Sequence, residues 1–158
     1  MWKYKGKEVT KASQLPKNAL GFIYNIHNTT KNKNYIGKKN LYCWKKVSLK
    51  VFEDLKAKGE EVKRHKNKST SKKGEPVWVY QVRVEGPWTK YCGSNEELKA
   101  DIKKGDKITK EIIGIAFCTK QLTYLEIEAQ IKMDVLRNPD KFYNQNILGK
   151  FWPNDLTC

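Results

Sequence analysis

Gly21-Phe22-Ile23-Tyr24-Asn25-Ile26-His27, followed after a polar stretch by Tyr35-Ile36-Gly37, is the segment on which the fold turns. The first run alternates as a half-buried strand does, with Phe22, Tyr24 and Ile26 on one face. Residues 28–34 are polar and turn-like, and a second strand resumes at Tyr35. Two strands joined this way make a β-hairpin.

Working outward, residues 47–58 read as a helix with Val51, Phe52 and Leu55 facing inward and Gly59 stopping it. From 59 to 74 the chain offers Lys, Glu, Ser, Thr and Asn with almost nothing apolar, the composition of a mobile loop. Val77 to Val84 is a strong strand, turned by Gly86-Pro87. Ser94-Asn95-Glu96-Glu97 has the form of a capping box opened by Ser94, with a helix to about Lys104. Residues 108–117 are apolar and β-branched enough for another strand, and a last helix is expected over about 119–137, ended by Asn138-Pro139. The expected fold is α+β: a small antiparallel sheet flanked by helices. A chain of 158 residues is expected to form one domain, 1–158, with a core over about 19–152 and a basic loop insertion over about 59–75.

The charge is +15, from 32 Lys+Arg against 17 Asp+Glu. Between Lys38 and Lys73 there are 13 basic and four acidic side chains, so +9 of the +15 sits in one segment. Such a concentration suits a phosphate backbone, because each neutralised phosphate releases condensed counterions. No strongly apolar helix face accompanies it, which favours nucleic acid over a membrane partner. Trp44, Trp78, Tyr80 and Trp88 could pack in a core or stack on bases, the core being the expectation for Trp78 and Tyr80. Cys43, Cys92, Cys118 and Cys158 form no Cys-x-x-Cys pair, and His27 and His65 have no zinc-site spacing, so reduced thiols are expected. The N-terminus has no apolar stretch after its positive charges, which points to the cytoplasm.

The two strand motifs resemble those that name the GIY-YIG nuclease superfamily, with Tyr24 and Tyr35 eleven residues apart. Trp88-Thr89-Lys90-Tyr91-Cys92-Gly93-Ser94-Asn95, Leu122-Thr123-Tyr124-Leu125-Glu126 and Tyr143-Asn144-Gln145-Asn146-Ile147-Leu148-Gly149-Lys150-Phe151 are similar to a phage-encoded branch described as free-standing homing endonucleases. The resemblance implies a metal-dependent DNA endonuclease in the host-cell cytoplasm. It implies that Tyr24 orients or deprotonates the attacking water while Tyr35 completes the polar network. A free tyrosine titrates near 10, so either neighbouring lysines favour the phenolate or a hydroxide on the metal takes its proton first.

Glu126 is the implied ligand for Mg²⁺ (or Mn²⁺), with Glu128 the rival, since residues two apart on a helix point in different directions. The resemblance also implies an arginine on a helix about ten residues after the second tyrosine. Lys45 stands there, next to Lys46, with Lys39 and Arg64 as alternatives. Asn144 resembles the asparagine that helps hold the site. Lys38, Lys39, Lys46, Lys63, Arg64, His65, Lys66 and Lys68 are the expected DNA contacts. One active site cuts one strand, so a double-strand break would require a homodimer or sequential nicking. The rivals are a non-catalytic DNA-binding protein and a nuclease-fold module that binds nucleic acid or a host factor.

Overall fold

The computed structural model describes residues 1–70 and 76–156, without the side chains of 67–70 and 76. The chain falls into two compact units, one of residues 1–41 and 87–158 and the other of Tyr42–Gly86.

The first unit is built on the expected hairpin. β3 (Gly21–Asn28) and β4 (Lys33–Asn40) pair antiparallel, Gly21 opposite Asn40 and Asn28 opposite Lys33. Asn28 closes the turn: its side-chain oxygen accepts from the Thr30 and Lys31 amides. β8 (Ile108–Ala116) runs antiparallel along the other side of β3. Two short strands absent from the sequence reading, β1 (Trp2–Tyr4) and β2 (Lys7–Val9), extend the sheet to the order β2-β1-β8-β3-β4. β1 lies parallel to β8, so the sheet is mixed and not wholly antiparallel. The core therefore begins at Trp2, which is buried, and not at residue 19.

Both faces of this sheet are covered, which is why β3 buries four residues in a row, Gly21 to Tyr24, in place of the expected alternation. On one face α3 (Thr119–Lys132) presses Leu122 onto Ile23, Ile36 and Ala116, with Val135, Leu136 and Ile147 completing an aliphatic core. The other face is aromatic. Trp2, Phe22, Tyr24 and Trp88 meet edge to face, with ring centres 5.2 to 6.2 Å apart. α3 stops five residues before 137 because Asp134 takes a left-handed φ of 51°, dropping Val135 and Leu136 into the core. α2 (Glu96–Lys104) is capped by Asn95, whose side chain accepts from the Leu98 amide; the expected cap, Ser94, points elsewhere.

The second unit holds β5 (Tyr42–Val47), α1 (Leu49–Ala57), β6 (Val62–Thr70) and β7 (Pro76–Glu85). Its sheet is antiparallel in the order β5-β7-β6. Most of the expected basic loop is thus strand β6, and the inserted piece is Tyr42–Gly86 and not 59–75; residues 71–75 lie outside the described ones. The strand carries almost no apolar residue, and the apolar β7 supplies the backbone ladder it needs. Phe52 of α1 packs on Tyr80, ring centres 5.0 Å apart, and Leu55 is half-buried, whereas Val51 is 42% exposed. Trp78, expected in the core, is 43% exposed, and Trp88 of the first unit is fully buried. Among the described residues Cys43, Cys92 and Cys118 are free thiols, and no helix is long and apolar enough to cross a membrane.

Candidate active site

β4 is the edge strand of the five-stranded sheet, and an edge presents unpaired backbone groups. Here they are satisfied from the chain's tail. The Asn34 amide donates to the Lys141 carbonyl, and the Tyr143 amide donates back to Asn34. One rung on, the Asn144 side chain substitutes for a strand: its oxygen accepts from the Ile36 amide at 2.9 Å and its nitrogen donates to the Ile36 carbonyl at 2.8 Å. Gln130 of α3 donates to the same carbonyl. Asn144, 7% exposed, thereby holds the backbone between Tyr35 and Gly37.

Tyr24 and Tyr35 share the aromatic face, their ring centres 6.1 Å apart. Tyr24 is 1% exposed, and its hydroxyl lies over Gly37: a Cβ built there would stand 2.5 Å from the Tyr24 oxygen. Glycine is required at 37 to admit this ring. Burial pushes the Tyr24 phenol well above its usual range, reinforced by Tyr35, a hydrogen bond to Tyr91 and the Glu126 charge. Every influence on Tyr24 thus favours the neutral phenol, and among the described residues no lysine counters them, which leaves the metal-bound hydroxide of the two expected routes to its phenolate. Burial raises Tyr35 as well, but a hydrogen bond with Ser94 opposes it. That bond, 2.7 Å between Tyr35 Oη and Ser94 Oγ, is what occupies the side chain read from sequence as a helix cap. Gly93 lets the Tyr35 ring lie against the loop, where a Cβ would meet ring carbon at 3.1 Å.

The opposite flank of the edge belongs to α3. Thr123, Glu126 and Gln130 recur at helical spacing and line up along β4. Lys38 Nζ lies 3.0 Å from Glu126 Oε2 and donates to Thr123 Oγ1 at 2.9 Å. Glu128 points away, paired with Lys132 one turn on at 2.9 Å. A cleft of about 480 Å³ opens at the edge, lined among others by Tyr35, Ser94, Glu126, Tyr143 and Asn144. The geometry thus brings Glu126, not Glu128, to the same cleft as Tyr35. Ser94, Gln130 and Tyr91 were missed from sequence; the spacing of Thr123, Glu126 and Gln130 along one helix face was the available signal for Gln130.

Behind the cleft a buried polar network braces the tail. Asn28 donates to Tyr143 Oη at 2.9 Å, and Tyr143 donates to Asp101 Oδ2 at 2.9 Å. Lys31 completes it 2.6 Å from Asp101 Oδ1. The lysine holds the Asp101 carboxyl below its usual value, and burial pushes Tyr143 up to about 12.

The expected cations divide between the units. Lys38 and Lys39 lie on β4, Lys39 on the tyrosine face with its ammonium 4.2 Å from the Tyr91 ring centre. Lys45 and Lys46 lie in the second unit on strand β5, both exposed, and not on a helix as the family pattern implied. Lys63, Arg64, His65 and Lys66 are exposed on β6, and the Lys68 side chain is outside the described residues. Among the described residues no three His, Cys, Asp or Glu side chains gather as metal ligands. The donor available is one partly buried carboxylate, already resting against the Lys38 ammonium, beside a cleft roomy enough for water. That set fits Mg²⁺ or Mn²⁺ and does not fit zinc.

Residues 2–147 match the family model described as "Putative endonuclease segE, GIY-YIG domain". No curated protein and no solved structure shows significant similarity to the chain.

Proposed function

The chain belongs to the GIY-YIG endonuclease family, and on that premise we propose that it is a metal-dependent endonuclease hydrolysing phosphodiester bonds in DNA. The observation that carries the reading is the meeting of Tyr35 and Glu126 at one cleft beside the edge strand β4. A substrate phosphate would lie along this edge. Tyr24 and Tyr35, as neutral phenols, would orient the attacking water by hydrogen bonding, and Ser94 would fix the Tyr35 hydroxyl. Lys39 from the tyrosine face and Lys38 from the Glu126 side would offset phosphate charge. Lysine supplies a point charge there, without the bidentate fork of an arginine.

Glu126 would hold Mg²⁺ or Mn²⁺, which when bound stabilises the charge gathering on phosphorus and the leaving oxygen. Lys38 must then give up part of its hold on that carboxylate, with Thr123 left to anchor it. Asn144 would keep the edge in register. Homing-type action from a phage genome, in the host-cell cytoplasm, extends the same reading, with a homodimer where both strands are cut.

One observation favours a second reading, DNA binding without cleavage: Tyr24 is buried and held neutral, which suits packing as well as catalysis. Supercoiled plasmid incubated with the protein and Mg²⁺, against an EDTA control, separates the two. Conversion to nicked or linear DNA should fall about 100-fold or more in Glu126→Ala and in Tyr24→Phe. Tight binding with no metal-dependent conversion would establish the second reading.

A further inference from the structure

Beyond Tyr80 the second unit changes character. The last β5 pairing is Val47 with Tyr80, whereas β6 and β7 continue through His65 with Val79 and Lys66 with Trp78. What continues is a two-stranded ribbon, rooted at Lys63 and Arg64, which pair with Gln81 and Tyr80 where β5 still lies alongside β7 and leaves β6 at the edge. Its residues alternate across two faces. Arg64 and Lys66 share one face with Trp78, their charged groups 5.2 and 5.3 Å from its ring centre. Lys63 and His65 take the other face, with Lys63 4.2 Å from the Trp44 ring centre. All four basic side chains are exposed, and the ion pairs among the described residues include none of Lys63, Arg64 and Lys66.

Charge on both faces of a ribbon is informative. A flat anionic surface is met by one face and leaves the other unbalanced. A DNA groove has a phosphate wall on each side, and both faces then find a partner. The major groove, about 12 Å wide, admits a two-stranded β-ribbon in undistorted duplex, whereas the minor groove, about 6 Å, takes one where the duplex is bent or widened. Trp78 between two cations adds an apolar body with an N–H donor where base edges would lie. We infer that the β6–β7 ribbon is a docking element for duplex DNA that enters the major groove.

This rests on the nuclease reading for its biological sense but not for its test, because binding is measured in EDTA with cleavage off. Anisotropy of a labelled duplex is followed against salt for the full chain, for the variant Lys63→Gln/Arg64→Gln/Lys66→Gln, and for Lys3→Gln/Lys5→Gln/Lys7→Gln. The second variant loses the same charge at exposed positions of the first unit. The ribbon variant should bind about tenfold or more weakly, its salt slope reduced by about 2 to 3. The control variant should change far less. Equal losses in both variants would reduce the ribbon to general charge and overturn the inference.

The unsubstituted chain supplies an independent arm. Methyl green, which occupies the major groove, should compete with the protein, while netropsin, in the minor groove, should not. The reverse order, or no competition from methyl green, overturns it. So does a ribbon variant that loses binding to single strands or to anionic vesicles but not to duplex.

Discussion

The two compact units use the same residue types to opposite ends. In the first, aromatic rings are buried edge to face, and polar side chains are spent on one another and on the backbone of an edge strand. In the second, Phe52 and Val82 are the buried side chains among the described residues, and aromatic rings sit under lysine and arginine. The contrast is physical. A reacting group must be held to within a fraction of an ångström, which takes packing and satisfied hydrogen bonds. A docking element must keep its charges hydrated and available until a polyanion arrives.

If the first unit is as over-determined as it looks, small changes there should be expensive. Gly37→Ala should cost most, about 3 kcal/mol, because the added methyl meets a Tyr24 ring that Trp2, Phe22 and Tyr91 already confine. Urea unfolding measures it, and a cost under about 1 kcal/mol would show that the ring has room to move. Asn144→Ala comes next, at about 2 kcal/mol, since it strips the Ile36 amide of its partner while Gln130 still serves the carbonyl. Hydrogen exchange at Ile36 should quicken in that variant; unchanged protection would mean the edge is held by its flanking rungs alone.

The smallest effect concerns pH. Asp101 titrates below its ordinary value of 3.8 because of Lys31, so its contribution is complete above that value and is lost as pH falls through the depressed one. Urea midpoints taken from pH 5 downward should drop more steeply for the natural chain than for Asp101→Asn. Parallel curves would place the acid sensitivity elsewhere, in the second unit for example.

Much of this was legible in the chain. The β3–β4 hairpin, β7, α2 and β8 all announce themselves through period-2 apolar runs, caps and glycine stops, because each is a local pattern. β6 does not, since Lys63, Arg64, His65 and Lys66 bury nothing and their strand exists only through pairing with β7. β1 and β2 are three residues each, too short for periodicity to register. Ser94 shows the limit in one residue: by local rules it caps a helix, yet its hydroxyl is taken by a tyrosine 59 positions away.

Tyr24, Tyr35 and the choice of Glu126 over Glu128 mark the division. By itself the sequence determined the family, the hairpin that carries both tyrosines, and the segment that concentrates the charge, for these follow from residue order. Only the tertiary structure decided that Glu126 reaches the cleft lined by Tyr35, that Tyr24 is buried and its phenol pushed towards the neutral form, and that the basic segment is largely a strand. Those depend on which surfaces of helix and sheet are brought into contact, and desolvation, side-chain direction and backbone pairing have no value until that contact is made.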